Sequence, residues 1–449
     1  MTPPSIPLQP THPNTLTGSS AQPELTTADI EPMARAARAA SRVLATVPTT
    51  VKDAVLLALA ALLQQSKPAI LIANAADCDQ ARAEGLAPAK LQRLALTDGA
   101  VDQLAEQLRA VAALPDPVGQ TTAQWRGPSG IDVKKIRCPL GVIAMIYEAR
   151  PGVTIDAFAL CFKAGNAAIL KGGKEAARSN RLLASLAHRA LADHGLPAAA
   201  LTAITTTDRA ALLELLKQRE HIDLVIPRGG EDLIRWVAQH STIPTIQHYK
   251  GVCHAYIDAD ADLDMALRLC VSGKTTAPAT CNALECVLVH QAVAERFIPA
   301  LLSALAAGGV QTRACPQTLR LALAARLDTS PAHLVLASPD DFGREFLDLT
   351  IAVKLVASLD EAVAHIDRYG SSHTESIITQ SRLAADEFLT RVQASCTLHN
   401  ASTRMNDGHA LGLGAEIGIS TTRLHAYGVM GLQELTAQRY VAIGTGQSR

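Results

Sequence analysis

Aromatic side chains are scarce in this chain: Phe, Trp and Tyr together make up 3% of its 449 residues. Few rings are free to stack on bases, and 41 Lys+Arg against 42 Asp+Glu leave no basic excess to track a phosphate backbone. No nucleic-acid partner is therefore expected. Cys-x-x-Cys pairs and the Cys/His spacings of zinc sites are missing as well, although nine cysteines occur, at positions 78, 138, 161, 253, 270, 281, 286, 315 and 396. An odd number of scattered cysteines in a long chain points to free thiols in a reducing compartment, and no metal site is expected. Residues 54–63, the longest strongly apolar run near the start, would cover about half a membrane span, so no membrane insertion is expected. The first 28 residues hold neither Lys nor Arg and lack the basic start and apolar middle of a signal peptide. Rich in Pro, Thr and Ser, they are expected to form a disordered tail (1–28) on a cytoplasmic protein.

What is present is mainly aliphatic. A hydrophobic share of 48% with 18% charge reads as soluble and globular, with length for two or three domains. Residues 30–114 carry Ala and Leu at three-to-four spacing and stop at Leu114-Pro-Asp-Pro117, which predicts a helical stretch. Residues 125–137 read as two short strands around Gly127-Pro-Ser-Gly130. Strand patterns then recur at 141–147, 167–170, 201–204 and 222–226, alternating with helical patterns at 153–163, 174–194, 208–219 and 231–240. The register changes around 243–258, a second set runs from 263 to about 400, and 439–443 form a last, polar-flanked strand. Such alternation predicts an α/β fold: two doubly wound domains, with a hairpin and a C-terminal strand that pack elsewhere.

Cys281 is the most telling residue. The loop Lys274-Thr-Thr-Ala-Pro-Ala-Thr-Cys281 delivers it between a helical pattern and the apolar run 286–290. Loops on a rigid scaffold suit a nucleophile, and a thiol is a few per cent thiolate at neutral pH, but a cysteine alone packs more often than it reacts. Two strand ends add context. In Ile169-Leu-Lys171-Gly172-Gly173-Lys174, glycines and lysines stand where a strand meets a helix, and free N–H groups with a helix dipole suit a phosphate there. Two lysines favour a dinucleotide with a 2′-phosphate over one with a bare ribose, which usually meets an acid. A solvated helix start is the other reading. Pro227-Arg228-Gly229-Gly230 precedes a second helix; it lacks the full G-x-G-x-x-G spacing and reads equally as a plain turn.

Six blocks then become recognisable in order: Tyr147-Glu-Ala-Arg-Pro151, Gly165-Asn-Ala-Ala-Ile-Leu-Lys-Gly-Gly173, Ile226-Pro-Arg-Gly-Gly230, Cys281-Asn-Ala-Leu-Glu285, Asn400-Ala-Ser-Thr-Arg404 and Gly412-Leu-Gly-Ala-Glu-Ile-Gly-Ile-Ser420. From residue 29 to 449 the chain resembles the gamma-glutamyl phosphate reductases (glutamate-5-semialdehyde dehydrogenases), a branch of the aldehyde dehydrogenase superfamily. The resemblance implies an NADPH-binding domain (29–124 and 138–255), a catalytic domain (256–415) and an oligomerisation element (125–137 and 416–449). It also implies NADPH-dependent reduction of L-glutamyl 5-phosphate to L-glutamate 5-semialdehyde through a cysteine thioester, with release of phosphate, in the second step of proline biosynthesis.

Carried over by position, Cys281 matches the catalytic thiol, with its own N–H and the Asn282 side chain as oxyanion donors. Lys171, Gly172, Gly173 and Lys174, with Arg228, Gly229 and Gly230, fall to the cofactor. Lys171 matches a lysine at the adenosine ribose, Lys174 stands where NAD-preferring relatives often carry a glutamate, and Glu345 aligns with a glutamate near the nicotinamide ribose. Arg150, Asn400 and Arg404 are placed for the substrate carboxylate, and Asp407 for its ammonium. A homo-oligomer is implied, and association with glutamate 5-kinase is a further option. Two departures stand out. Residues 247–251 carry no carboxylate where hydrolytic relatives place a water-activating glutamate, which favours a phosphate-dependent enzyme. Where the family usually reads Arg-Pro-Ser, this chain has Ala277-Pro278-Ala279, leaving anion recognition to another residue. The rivals are a hydrolytic NADP-dependent aldehyde dehydrogenase and an inactive homologue that assembles with the kinase.

Overall fold

The computed structural model describes residues 26–448 apart from 205 and 207. Nearly all of the expected tail therefore lies outside the described residues, and its last positions are already helical. Helix Thr27–Leu44 starts behind Thr26, whose N–H and hydroxyl both donate to Asp29 Oδ2, at 2.8 and 2.7 Å. Helices Thr49–Gln65, Lys67–Ala83, Pro88–Leu94 and Asp98–Ala113 complete the predicted helical stretch. Pro68 and Pro88 sit in first turns, where a missing N–H costs nothing. The Ala/Leu faces, among them Ala34, Leu56, Leu59 and Leu108, are buried in one core with the first sheet. Each buried leucine contributes about 2 kcal/mol.

That sheet holds four parallel strands in the order Leu201–Ile204, Ala167–Lys171, Val142–Tyr147, Leu224–Arg228. The chain runs outward from Val142–Tyr147, then returns to add Leu224–Arg228 on the opposite side. Strand order thus reverses between these two, and in open parallel sheets the ligand crevice lies at the C-terminal ends of such a pair.

The second sheet has seven strands, in the order Leu334–Leu336, Gln311–Ala314, Thr350–Val356, Leu284–His290, Cys253–Ile257, Thr374–Ile378, Cys396–His399, all parallel. Ile257, Val287, Val289 and Val353 join one buried cluster, while Tyr256, Leu288 and Ala352 join another. Period-two alternation thus divides each strand between two helical layers, as the doubly wound expectation required. The expected domain boundary at 255/256 cuts Cys253–Ile257, which in fact lies inside this second sheet. Its pattern is hidden because buried His254 interrupts the apolar run, with its Nδ1 held by distant Glu375 at 2.9 Å.

A separate sheet joins Thr121–Arg126 and Asp132–Pro139 to Thr436–Ile443, all antiparallel. The hairpin is longer than the expected 125–137, and of 416–449 only Thr436–Ile443 joins it. Ile417, Met430, Leu432 and Leu435 instead pack into the first core, because their side chains are apolar enough to be buried there. Trp125 and Tyr440 meet edge-to-face at 6.0 Å on this sheet, and both are exposed. Among the described residues no single helix is long and apolar enough to cross a membrane.

Gly141 enters the first sheet at φ +127°, and a Cβ there would stand 2.1 Å from Asp223 Oδ2. That carboxylate accepts the Val142 N–H and pairs with Arg38, each at 2.7 Å. Gly141→Ala is expected to cost about 2–3 kcal/mol and lower the melting temperature by several degrees in a thermal unfolding scan. An unchanged melt would show that Asp223 yields freely.

Candidate active site

Helix Leu263–Thr275 ends at the cysteine loop. Thr280 N–H donates to Ala277 O at 3.3 Å and Ala283 N–H to Thr280 O at 3.0 Å, which folds the loop into turns that present Cys281 just ahead of strand Leu284–His290. Gly251 packs directly on this backbone; a Cβ there would lie 1.9 Å from Cys281 O, so only glycine permits the approach. The Cys253 thiol donates to the same carbonyl at 3.3 Å, and Cys253 is buried. Asn282 Nδ2 donates to Asn406 O at 3.0 Å, and Asn282 Oδ1 accepts from Thr280 at 3.1 Å. One amide N–H of Asn282 is therefore structural, and an amide carries a second. The motif glutamate Glu285 is buried and pairs with Lys274 at 2.7 Å; burial pushes its carboxyl up to about 7 against the pull of that ammonium.

A cleft of about 540 Å³ opens between the C-terminal ends of the first sheet and the N-terminal ends of the second. It gathers Cys281, Asn282, Arg228, Gly229, Gly230, Glu345, Arg150, Arg404 and Asp407 from the sequence-predicted set. It also brings in residues to which the sequence reading gave no role: Arg93 from helix Pro88–Leu94, His248 ahead of Cys253–Ile257, and Glu416 from the C-terminal segment. Lys90 and Lys250 pair with Glu148 and Glu231, each at 3.7 Å. Among the described residues, Arg93, Arg150, Arg228 and Arg404 make no ion pair; Arg93 reaches Ala279 O at 3.4 Å, and Arg404 donates to Thr280 Oγ1 at 2.7 Å.

The charges shape the thiol. Burial pushes Cys281 up to about 11; Arg228 pulls it down, while Glu416 and Glu345 oppose ionisation. Both carboxyls are themselves raised by burial. The cleft wall, then Arg228 and Arg93, bring the Arg150 guanidinium down to about 10 although much of the residue faces solvent. His248 is lowered to about 4 by burial and by Arg228, so its imidazole is neutral.

Lys171, Gly172, Gly173 and Lys174 lie outside the cleft lining, at the end of the strand next to Val142–Tyr147, where Lys171 is its last residue and is registered with Ile146. The expected helix 174–194 opens with a short 3-10 turn, Lys174–Ala176, before Ala177–Asp193. Lys171 Nζ donates to Gly172 O at 2.7 Å, and burial lowers its ammonium. A Cβ on Gly172 would stand 2.2 Å from Asn180 Nδ2. Lys174 pairs with Glu84 at 2.9 Å. Lys174 is thus met by an acid that only the fold supplies, whereas Lys171 is held by a backbone carbonyl.

Asn400 departs from expectation. At φ +54° its Oδ1 accepts the Thr379 N–H and its Nδ2 donates to Thr379 O, both at 3.0 Å, so the amide that was expected to meet substrate closes the backbone and does not line the cleft. Asp407 lines the cleft, with Oδ1 accepting from the His409 N–H at 2.9 Å and the Ala410 N–H at 3.2 Å.

The aldehyde dehydrogenase family profile matches residues 7–319. The gamma-glutamyl phosphate reductase of Xylella fastidiosa strain M12 is 52% identical over 420 residues, covering 94% of each chain. The crystal structure of gamma-glutamyl phosphate reductase from Thermotoga maritima superposes with a TM-score of 0.89 at 38% identity, over 94% of this chain and 99% of its own. An engineered glycolyl-CoA reductase with bound NADP⁺ shares the fold, with a TM-score of 0.65 at 15% identity over 92% of this chain and 96% of its own. The cysteine loop, the crevice at the strand reversal and these likenesses agree: the chain belongs to the aldehyde dehydrogenase family and, within it, to the gamma-glutamyl phosphate reductases.

Proposed function

We propose that the protein reduces L-glutamyl 5-phosphate to L-glutamate 5-semialdehyde with NADPH and releases phosphate, in the second step of cytoplasmic proline biosynthesis. The observation that carries this reading is the group of arginines without acidic partners around Cys281: Arg93, Arg150, Arg228 and Arg404. A substrate bearing a phosphate and a carboxylate supplies the anionic partners that these arginines lack, and guanidinium forks bind both. Arg93, arriving from another helix, takes the role left open at Ala277.

In this reading the Cys281 thiolate attacks the acyl carbon, a C–S bond forms, and the C–O bond to phosphate breaks with its electron pair leaving on the phosphate. The Cys281 N–H and the free Asn282 N–H face the developing oxyanion; one such donor contributes roughly 10²–10³ in kcat. NADPH, when bound, supplies the hydride that reduces the thioester. Cys281 then leaves as the thiolate and the aldehyde is freed. The residues present fit the cofactor: Gly229 lies so close to Leu233 and Glu148 that a Cβ would meet them at 2.7 and 3.2 Å, helix Glu231–His240 starts beside it, and Glu345 faces the same cleft. Use of a nicotinamide cofactor belongs to the family. The choice of NADPH rests on Lys171 and Lys174. The Lys174–Glu84 pair is solvent-exposed and screened, so a 2′-phosphate readily displaces the glutamate. A homo-oligomer is proposed through the sheet that exposes Trp125 and Tyr440.

Glu345 and Glu416 are carboxylates in the cleft that residues 247–251 do not provide, and they keep the hydrolytic reading testable. With glutamate 5-semialdehyde and NADP⁺, steady NADPH production is expected only when inorganic phosphate is added, and none in Cys281→Ala. Steady turnover without phosphate would assign a hydrolytic dehydrogenase instead. Cys253→Ala and Cys286→Ala are expected to keep most turnover; loss equal to that of Cys281→Ala would overturn the choice of nucleophile. Lys174→Ala should raise the KM for NADPH several-fold with kcat nearly unchanged, and Glu84→Gln should lower it; equal KM values across the three proteins would remove the 2′-phosphate contact. Because the thiol is raised to about 11, its thiolate fraction grows with pH throughout the neutral range. Iodoacetamide labelling of Cys281 in the free enzyme, read by peptide mass mapping, should therefore climb about tenfold per unit from pH 7 to 9. A plateau by pH 8 would mean the thiol is already ionised.

A further inference from the structure

Beside the cleft, Cys281 stands close to two imidazoles that the proposed reaction does not use. A ring nitrogen of His248, a ring nitrogen of His373 and Cys281 Sγ all lie within 4.8 Å of one another. His248 comes from the segment before strand Cys253–Ile257, and His373 immediately precedes strand Thr374–Ile378. The two rings stand 5.3 Å apart, centroid to centroid. The Nε2 atom of each is buried without a hydrogen-bond partner, and His373 is fully buried. His373 Nδ1 is already engaged with Thr374 Oγ1 at 2.6 Å, the second contact that usually orients a metal-binding imidazole.

We propose that Cys281, His248 and His373 form a binding site for one zinc-class divalent cation. A thiolate and two imidazoles are the donor set that zinc prefers, and three protein ligands leave a fourth position open toward the cleft for water. Reaching bond lengths requires the donors to draw together by about 1 Å, a shift within reach of side-chain rotation. On binding, Cys281 gives up its S–H proton to solvent as the S–metal bond forms, and both imidazoles bind as neutral ligands. The metal charge then replaces the proton that burial holds on the sulfur, and the thiolate offsets the nearby Arg228. A bare thiol–imidazole ion pair is the less favourable use of the same atoms, because burial disfavours both of its charges. The consequence is a reversible cap on the nucleophile that excludes acyl substrate and shields the sulfur from oxidants.

Cobalt(II) is the probe, since a tetrahedral thiolate complex of it absorbs in the near ultraviolet and the visible. Titration of metal-free enzyme is expected to show one equivalent with a thiolate charge-transfer band, and Zn²⁺ should displace it. The band should vanish in Cys281→Ser, and His248→Gln, at a half-buried position that tolerates change, should weaken affinity at least tenfold. Zn²⁺ should also block iodoacetamide labelling of Cys281 until a chelator is added, whereas Mg²⁺ should not. Unchanged Zn²⁺ affinity in His248→Gln would reduce the event to simple thiol capture and end the proposal. So would a band that survives Cys281→Ser and disappears in Cys286→Ala, since His254, Cys286 and His365 form a second, buried cluster. These spectral readouts do not depend on the substrate assigned above, so failure of one reading leaves the other standing.

Discussion

Parallel strand pairing is the constraint on which the site depends. Because all seven strands of the second sheet run one way, the segments that enter them share one edge. His248 and Gly251 precede Cys253–Ile257, Cys281 precedes Leu284–His290, Glu345 precedes Thr350–Val356, and His373 precedes Thr374–Ile378. Residues far apart in the chain are thus delivered to one line without any motif to join them. The first sheet meets that line with its opposite edge, where Glu148 and Arg228-Gly229-Gly230 follow the two strands at the order reversal. The ends of two sheets therefore make one cleft.

Within it, precision comes from backbone fit more than from charge. Gly251 lies under the Cys281 carbonyl, Cys253 donates to the same oxygen, and the Asn282 amide is tied to Asn406 O, whose own side chain donates to Thr374 Oγ1 at 2.8 Å. Thr374 in turn holds His373. One chain of contacts thus sets Cys281, Asn282 and the neighbouring His373 imidazole. Below it the buried Lys274–Glu285 pair fixes the end of the preceding helix to the following strand. Removing either partner would leave an unpaired buried charge, a loss on the order of 3–5 kcal/mol.

Charge decides what enters. Four arginines share the cleft with a thiol that burial keeps protonated, and the cleft carboxylates Glu345, Glu416 and Asp407 form ion pairs with none of them. The acyl phosphate proposed as substrate suits this balance, because phosphate and guanidinium are complementary charges.

The sequence by itself determined a good deal. Apolar alternation marked the parallel units, and Cys281 with the Gly229-Gly230 strand end, both singled out in the sequence, lie at one cleft; each of these signals is written in neighbouring residues. It also placed Asn400 at the substrate, where a left-handed asparagine closing a turn looks the same in one dimension as an amide that meets a ligand. Only the tertiary structure decided that strand Cys253–Ile257 belongs to the second sheet, that Glu84 meets Lys174, and that Arg93, His248, His373 and Glu416 gather near the thiol. Those relations join residues tens to hundreds of positions apart. Local pattern carries backbone preference and burial, whereas charge pairing and site assembly arise from the three-dimensional meeting of strand ends.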